Sequence, residues 1–587
     1  MCGIFALLNS TESDNSDSKS DNSDSKSDNS DNSDSKSDNS IQKTFITEQF
    51  NQAKHRGPDN STITTKNNNY IGFHRLAING IDEQSNQPFL INNIHLICNG
   101  EIYNYKQLYN NITDNPTTNS DCEVIIYLYL AYGIEYTLNL LDGVFAFVLI
   151  DYNIDKIFVA RDPYGVRPLF MLYNVNNLTI ESYSNNDNNL IGFASEMKQL
   201  IGFITNTDTK DTYQIKQFKP GTYRVFELSD MCWHQTEEQT YNTFNLNKII
   251  DRDEEISLNN ILEIIHDTFC EAVRKRVEAT DRPIACLLSG GLDSSIVTAI
   301  VNKYYPEQLE TYSIGLENSE DLKYAREVAL FLDTKHTEIV VTEDDFFNYI
   351  PNIIKNIESY DTTTVRASVG NYLIGKYIAD NSEAKVIFNG DGSDELMGGY
   401  LYMQSAPDHL EFDKECKRLL KDIYAFDVLR SDRSISTNGL EPRTPFLDRE
   451  FVNLFLSIGS NLRFDTNKIQ EKYLFRKAFD HEYIPDNILW RRKEAFSDGV
   501  SSKERSWYKI IEEKVALQTT IKYNLDAVYE HNPPQTLEQL YYRTIFEKYY
   551  PGQAKIIPYF WMPKYTDATD ASARTLHIYN EIKVNEA

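Results

Sequence analysis

Apolar residues follow two rhythms along this chain, and the change between them falls near residue 235. In the first stretch they come in short runs, most bounded by Gly, Asn or Asp. Cys2–Leu8, Tyr70–Ile78, His95–Cys98, Phe145–Asp151 and Lys156–Ala160 are of this kind and predict β-strands. Cys122–Tyr132 is apolar and long enough for a helix. The pattern predicts antiparallel sheets with helices packed on them. The turn sequence Phe218-Lys219-Pro220-Gly221 punctuates the end of this region. The second rhythm begins near Ile256. Ser257–Val277 puts Leu258, Ile261, Leu262, Ile265, Phe269 and Ala272 on one helical face. Ile284–Leu288 reads as a buried strand, followed by a Gly-rich loop and the largely apolar Ile296–Tyr305. Leu309–Leu316 and Lys385–Asn389 are further strand-like runs ending in polar turns. Strands alternating with helices predict a parallel sheet with ligands at the C-terminal ends of its strands.

Residues 12–40 obey neither rhythm. They repeat Ser-Asp-Asn-Ser-Asp-Ser-Lys with slippage and carry no apolar residue. Such a stretch buries nothing to offset the entropy of ordering, so it is expected to be a disordered insertion or a tether. It adds nine acidic residues and three lysines. The whole chain has 58 basic and 87 acidic residues, a net charge of −29, so its acidity does not come from the insert. That balance argues against coating nucleic acid or an anionic membrane, though not against a small phosphorylated ligand at a local site. The longest apolar runs fall far short of the roughly 20 residues that cross a bilayer. No basic region precedes the first apolar run, so no secretory signal is expected. The 7 cysteines are scattered and never spaced C-x-x-C, which disfavours a disulfide framework or a zinc site and fits a cytoplasmic protein.

Candidate chemistry begins at Cys2. Were Met1 removed, this residue would carry a thiol and a free α-amine whose ordinary pKa, about 7.7–8.0, suits a base near neutral pH. Four further pieces follow in order: His55-Arg56-Gly57-Pro58-Asp59, Phe73-His74-Arg75-Leu76-Ala77-Ile78, Asn99-Gly100-Glu101-Ile102-Tyr103-Asn104 and Ser120-Asp121-Cys122-Glu123. Together with Met1-Cys2-Gly3-Ile4-Phe5 they resemble the class II glutamine amidotransferase domain. The chemistry agrees. A free amino acid needs one fixed cation and one fixed anion, and Arg75 and Asp121 supply them. Amide hydrolysis passes through an oxyanion, for which the Asn99 side chain and the Gly100 backbone offer donors. The resemblance adds Leu76, Ala77, Ile78, Asn79 and Glu101 to the glutamine contacts.

In the second stretch, Leu288-Ser289-Gly290-Gly291-Leu292-Asp293-Ser294-Ser295 lies between a strand and a helix. Glycines let backbone N–H groups wrap an anion, and the helix N-terminus adds positive potential. It looks like the pyrophosphate loop of enzymes that split ATP into AMP and pyrophosphate. Gly370–Tyr377 fits G-x-x-x-x-G-K but lacks the following Ser or Thr and sits in an apolar-periodic stretch, so it is read as helix. Asn389-Gly390-Asp391-Gly392-Ser393-Asp394-Glu395 ends another strand, and carboxylates near phosphates usually mean Mg²⁺. Adding Glu358–Ser368, Glu441–Asp448 and Arg492–Gly499, the order resembles the glutamine-hydrolysing asparagine synthetase family over nearly the whole chain.

That resemblance implies an N-terminal four-layer αββα sandwich over residues 2–235 and a C-terminal parallel-sheet α/β domain over 236–587. It implies Mg²⁺ on Asp293 and Asp394, and adenosine against Leu288, Ile314, Asn389 and Gly390. Lys472 and Lys493 would balance polyphosphate charge. Glu358, Asp361 and Arg366 would bind aspartate, and Asp391 would be catalytic. Many members have Glu where Asp391 stands and Ser where Asn389 stands. The implied substrates are L-glutamine, L-aspartate and ATP, with ammonia crossing an enclosed apolar passage; a homodimer is left open. The same motifs admit two alternatives: a relative that uses ATP for internal amide closure, and a non-catalytic paralogue. Intact Cys2, Arg75, Asn99 and Asp121 weigh against both.

Overall fold

Alternation along the first strands dictates the layers of the N-terminal half. The computed structural model describes residues 1–9, 34–113, 115–175, 190–205, 213–244, 258–464, 470–480, 483–518 and 529–579. Strands β1 (Gly3–Leu8), β2 (Asn60–Lys66), β3 (Asn69–Arg75), β4 (Phe89–Ile91), β5 (Ile94–Ile102), β6 (Gly143–Asp151), β7 (Lys156–Arg161), β8 (Phe170–Asn174), β9 (Ile191–Ala194), β10 (Tyr213–Gln217), β11 (Thr222–Ser229) and β12 (Cys232–Thr240) form two sheets. Their orders are β10-β8-β9-β1-β3-β2 and β12-β11-β7-β6-β5-β4, and neighbouring strands run antiparallel. Ile4, Ala6 and Leu8 of β1 meet Ile97, Ala146 and Val148 between the sheets. Phe5 and Leu7 point the other way, onto Ile46 and Phe50 of helix α1 (Asp34–Asn51). On the far side Leu96, Phe145 and Phe147 pack on Val124, Ile125 and Leu128 of α2 (Val124–Tyr132). Period-two side chains thus bury both faces of each sheet, giving the expected αββα order.

The C-terminal half is built on α3 (Leu258–Glu278), β13 (Ile284–Leu287), α4 (Leu292–Tyr304), β14 (Glu310–Leu316), β15 (Lys335–Val341), α5 (Thr362–Asn381), β16 (Val386–Phe388), α6 (Asp427–Ser436) and β17 (Glu441–Arg443). Its sheet is parallel in the order β15-β14-β13-β16-β17. The chain winds outward in opposite directions from β13, which makes the end of that strand a switch point where ligands bind. Cys286 faces Phe269, Ile296 and Ile300 of α3 and α4, while Ala285 faces the core that holds Val365, Val369 and Ile374 of α5. Gly370–Tyr377 lies inside α5, as its periodicity indicated.

Two expectations change at their edges. Strand β12 runs to Thr240, through the 235/236 boundary, because its pairing with β11 continues to Thr222↔Thr240. The repeat lies outside the described residues as far as 33, but 34–40 form the start of α1, carried by the packing of Ile46 and Phe50 further along the same helix. Among the described residues no helix is long and apolar enough to cross a membrane.

Buried charges join the two halves. The Met1 ammonium meets Glu441 Oε2 at 3.1 Å, and Arg167 lies 3.5 Å from the same oxygen. Arg56 donates to Asp432 at 2.8 Å, and Arg443 lies 3.4 Å from Glu101. Glu358 accepts from the backbone N–H groups of Met197 and Lys198 at 2.9 and 2.8 Å.

Candidate functional site

β1 delivers Cys2 to the edge of β5. The Cys2 N–H donates to Asn99 Oδ1 at 3.0 Å, its carbonyl accepts from Arg56 Nε at 2.9 Å, and its Sγ lies 3.7 Å from the Leu76 carbonyl. Burial pushes the thiol pKa up, against the pull of the nearby terminal ammonium and Arg75. Asn99 is fully buried, and with Oδ1 committed to Cys2 its Nδ2 has no partner among the described residues. An orphaned buried donor is costly unless something arrives to accept from it. Gly100 stands against β6: a Cβ there would come within 2.6 Å of the Val144 carbonyl, so only glycine keeps this register.

Arg75 closes β3 and turns back on the loop that follows. It donates to the Asp82 carbonyl and Asn86 Oδ1, both at 2.8 Å, and to the carbonyls of Asn79 and Gly80. Leu76, Ala77, Ile78 and Asn79 are buried in that loop, with the Ala77 N–H on Asp59 Oδ2 at 2.8 Å. Asn79 Nδ2 donates to Glu101, whose pKa burial and the neighbouring Glu441 and Asp121 push up. Asp121 opens the short helical turn before α2 and accepts from the Ile102 N–H at 2.6 Å. Burial raises its pKa to about 6.

The second cluster lies where β13, β14 and β16 end. Leu288, Ser289, Gly291, Asp293, Ser294, Ile314, Asn389, Gly390, Asp391, Asp394, Lys472 and Lys493 all line one pocket there. Gly290 has φ +71 and its Cβ would lie 2.4 Å from the Ala325 nitrogen, so it shapes the loop from behind. Ser295 also stands off the lining, with its hydroxyl buried and unpartnered among the described residues. Lys472 Nζ sits 2.7 Å from both Asp293 oxygens and 2.6 Å from Asp394 Oδ1. Lys493 Nζ lies 2.6 Å from Asp394 Oδ2 and 3.4 Å from Asp293 Oδ2. Burial opposes the Asp293 charge, but Lys472 and Lys493 outweigh it and lower its pKa. Burial likewise opposes the Lys493 charge, and Asp394 and Asp293 raise its pKa in spite of it. Two facing carboxylates fit a hard cation that takes its other ligands from phosphate oxygens. Among the described residues no group of three or more His, Cys, Asp or Glu is placed to hold a metal alone.

Two of the expected aspartate contacts stand elsewhere. Glu358 ends a helix at the interface, spent on Met197, Lys198 and Arg433. Arg366 faces away from the pocket on α5 and is saturated by Glu538 and Asp570 at 2.5–2.9 Å. A buried cation already paired with two carboxylates has little attraction left for a substrate carboxylate, whereas the four acceptors on Arg75 are all neutral. Asp361 does line the pocket, but it caps α5: Oδ2 takes the Thr364 N–H at 3.0 Å and Oδ1 the Trp561 N–H at 2.7 Å. Sequence reasoning missed Arg430 and Asp427 of α6. Arg430 lines the pocket and holds Asp391 at 2.8 Å and Asp427 at 2.7 Å. The other Asp391 oxygen is buried without a partner among the described residues. In the sequence, Asp427 and Arg430 look like an ordinary i,i+3 surface pair.

Family comparison matches the asparagine synthase model at residues 265–412 and 404–573, and the glutamine amidotransferase domain model at 31–235. The chain is 41% identical over 548 residues to a glutamine-hydrolyzing asparagine synthetase of Gallus gallus, covering 89% of this chain and 94% of that one. The Rattus norvegicus protein of the same name is 41% identical over 551 residues and the Homo sapiens one 40% over 552, with the same coverage.

Proposed function

The chain belongs to the glutamine-hydrolysing asparagine synthetase family, and from that premise we propose that it makes L-asparagine from L-aspartate, using ATP and ammonia released from L-glutamine. What supports this most is the presence of two sites in one chain: Cys2 in the first half, beside an Asn99 Nδ2 that is unpartnered among the described residues, and the pocket at the ends of β13, β14 and β16 in the second. Ammonia is neutral and small, so this reading requires that it pass between the two sites out of contact with bulk water.

In the first site Cys2 Sγ attacks the glutamine side-chain carbonyl. Asn99 Nδ2 and the Gly100 N–H take the oxyanion, ammonia leaves, and water cleaves the thioester to glutamate. Arg75 and Asp121 hold the substrate's carboxylate and ammonium, with Leu76–Asn79 and Glu101 around them. With Met1 removed, the α-amine of Cys2 takes the thiol proton, and Asn99 Oδ1 at 3.0 Å orients it.

In the second site the β-carboxylate of aspartate attacks the α-phosphorus of ATP, and pyrophosphate leaves. Ammonia then displaces AMP from the β-aspartyl adenylate. The loop Ser289–Ser295 wraps the leaving phosphates, Lys472 and Lys493 balance their charge, and Leu288, Ile314, Asn389 and Gly390 hold the adenosine. Asp391, with Arg430 beside it, faces the reacting carboxylate. Asp293 and Asp394 would hold Mg²⁺, which when bound neutralises polyphosphate charge. A cytoplasmic homodimer completes the proposal, tested by cell fractionation and light scattering.

The decisive experiment is Cys2→Ala. Glutamine hydrolysis falls by orders of magnitude, while asparagine formation from ATP, aspartate and ammonium persists near the wild-type rate. A folded variant that is inactive with ammonia overturns the two-site reading.

A further inference from the structure

The loop after β3 is gripped from outside its own domain. Asp281 and Arg282 form the turn between α3 and β13. The Asp281 N–H donates to the Ile78 carbonyl at 2.9 Å, and Asp281 Oδ2 accepts from the Gly80 N–H at 2.9 Å. Arg282 Nε donates to the Ala77 carbonyl at 2.7 Å. Its other arm lies 3.7 Å from Asp59 Oδ2, the same oxygen that takes the Ala77 N–H. Backbone groups at 77, 78 and 80 therefore all end on two residues of the second half.

These contacts fall where the loop has least support of its own. Residues 76–80 have left β3, so sheet pairing no longer fixes their backbone. Arg75 holds the Asn79 and Gly80 carbonyls from one side, and the 281–282 turn holds the other. Gly80 sits at φ +61 with room for no Cβ, since one would lie 2.4 Å from Ser85 Oγ. The loop is thus pinned in a narrow conformation by polar contacts from both faces. Neither outside residue serves the core: Asp281 is exposed, and the Arg282 side chain is 32% exposed.

We propose that Asp281 and Arg282 are positioning residues for the glutamine site. They fix residues 77–80 so that Arg75, which holds the Asn79 and Gly80 carbonyls, and the loop's own side chains keep their places around the substrate. The inference rests on the reading of this loop as the glutamine site. It makes the second domain a structural part of glutamine recognition in the first. The link is short, because β13 leads from this turn directly into the phosphate loop at Ser289.

The test uses the full-length protein and steady-state glutamine hydrolysis, with Arg282→Ala, Asp281→Ala and the double variant. Each single change is expected to raise the glutamine KM about fivefold, the loss of one ordinary hydrogen bond, with kcat within about twofold. Asp281→Asn keeps the acceptor for Gly80 and should stay near the wild-type KM. Synthesis from ammonium should be unchanged in all of them. Arg75→Ala runs alongside and should raise KM far more. If Arg75→Ala does so and the double variant does not, the positioning role is overturned and the site reading stands. If Arg75→Ala leaves KM unmoved, the site reading falls and the inference with it. A joint loss of kcat and of ammonium-dependent synthesis in Arg282→Ala makes the residue merely structural and also overturns the proposal.

Discussion

Asp121→Asn should make the protein more stable and a worse glutaminase at once. Asp121 is buried, 4% exposed, and burial lifts its pKa from 3.8 to about 6. A carboxylate raised above its unfolded value costs stability where it is ionised. The cost is absent below about pH 4, grows as pH rises from 4 to 6, and is full above 6. A shift of this size is worth roughly 3 kcal/mol at neutral pH. Asparagine keeps the acceptor for the Ile102 N–H, which stands at 2.6 Å, and removes the buried charge. Allowing for an amide that must find its own partner, the expected gain is about 1–3 kcal/mol.

The same charge is what the substrate ammonium needs. Its loss should raise the glutamine KM by about 10- to 100-fold, the worth of a charge-assisted hydrogen bond. In the wild type, KM should climb about tenfold per pH unit below 6, as the carboxylate takes a proton. In the variant that limb should be flat. Urea unfolding at pH 7.5, 6 and 4.5, followed by a probe in the N-terminal half, reads the stability arm. The gap between the two proteins should close as pH falls. A destabilised variant, or a wild-type KM that is level from pH 7.5 to 5, refutes the reasoning.

Asp293→Asn should abolish synthesis with either nitrogen source and spare glutamine hydrolysis; aspartate-dependent pyrophosphate release surviving in that variant removes Asp293 from the metal and phosphate site. Arg430→Gln breaks the 2.8 Å contact to Asp391 and should raise the aspartate KM roughly tenfold while glutaminase kinetics stay put. An unchanged aspartate KM leaves Arg430 a mere wall of the pocket. Deleting 12–33, a stretch with no apolar residue, should change neither half-reaction, and a folded deletion that loses glutaminase activity shows the segment to be in use.

Periodicity found the layers because burial on both faces of a strand writes itself into every second residue. It misjudged strand ends where function takes over from packing. Tyr70–Ile78 reads as one strand, yet β3 stops at Arg75 because Leu76–Gly80 leaves the sheet to form the loop held by Arg75 and the 281–282 turn. His95–Cys98 is too short, since β5 continues through Asn99, Gly100 and Glu101, paired to Ala146, Phe145 and Val144. Those polar residues break the apolar run but are held in the ladder by its backbone bonds. The cluster around Cys2 was legible because each chemical need names a residue type. Glu358 and Arg366 show the converse. They flank Asp361 in one conspicuous stretch, but a helix end and a helix face send the three side chains to different places. Arg430 carried no signal, because nothing local distinguishes a pocket-facing helix pair from a solvated one.

The charges sealed between the two sheets-and-helices bodies bear on how such a chain can be reshuffled. Each half has its own sheets, so each looks like a unit that recombination could exchange, although two buried apolar clusters run through both. Yet Glu358, Asp432 and Glu441 of the second half are almost wholly buried, and their counter-charges and N–H donors include Arg56, Arg167, Met197 and Lys198 of the first. Spliced to a foreign partner, the second half would keep Arg433 for Glu358 and Asp432, and Arg443 for Glu441. But Glu441 would lose Arg167, Asp432 would lose Arg56 and Glu358 would lose the N–H groups of Met197 and Lys198; a removed partner at a buried pair typically costs about 3–5 kcal/mol. The halves are therefore heritable only as a matched pair: a graft that carries over one domain must carry over the facing charges of the other.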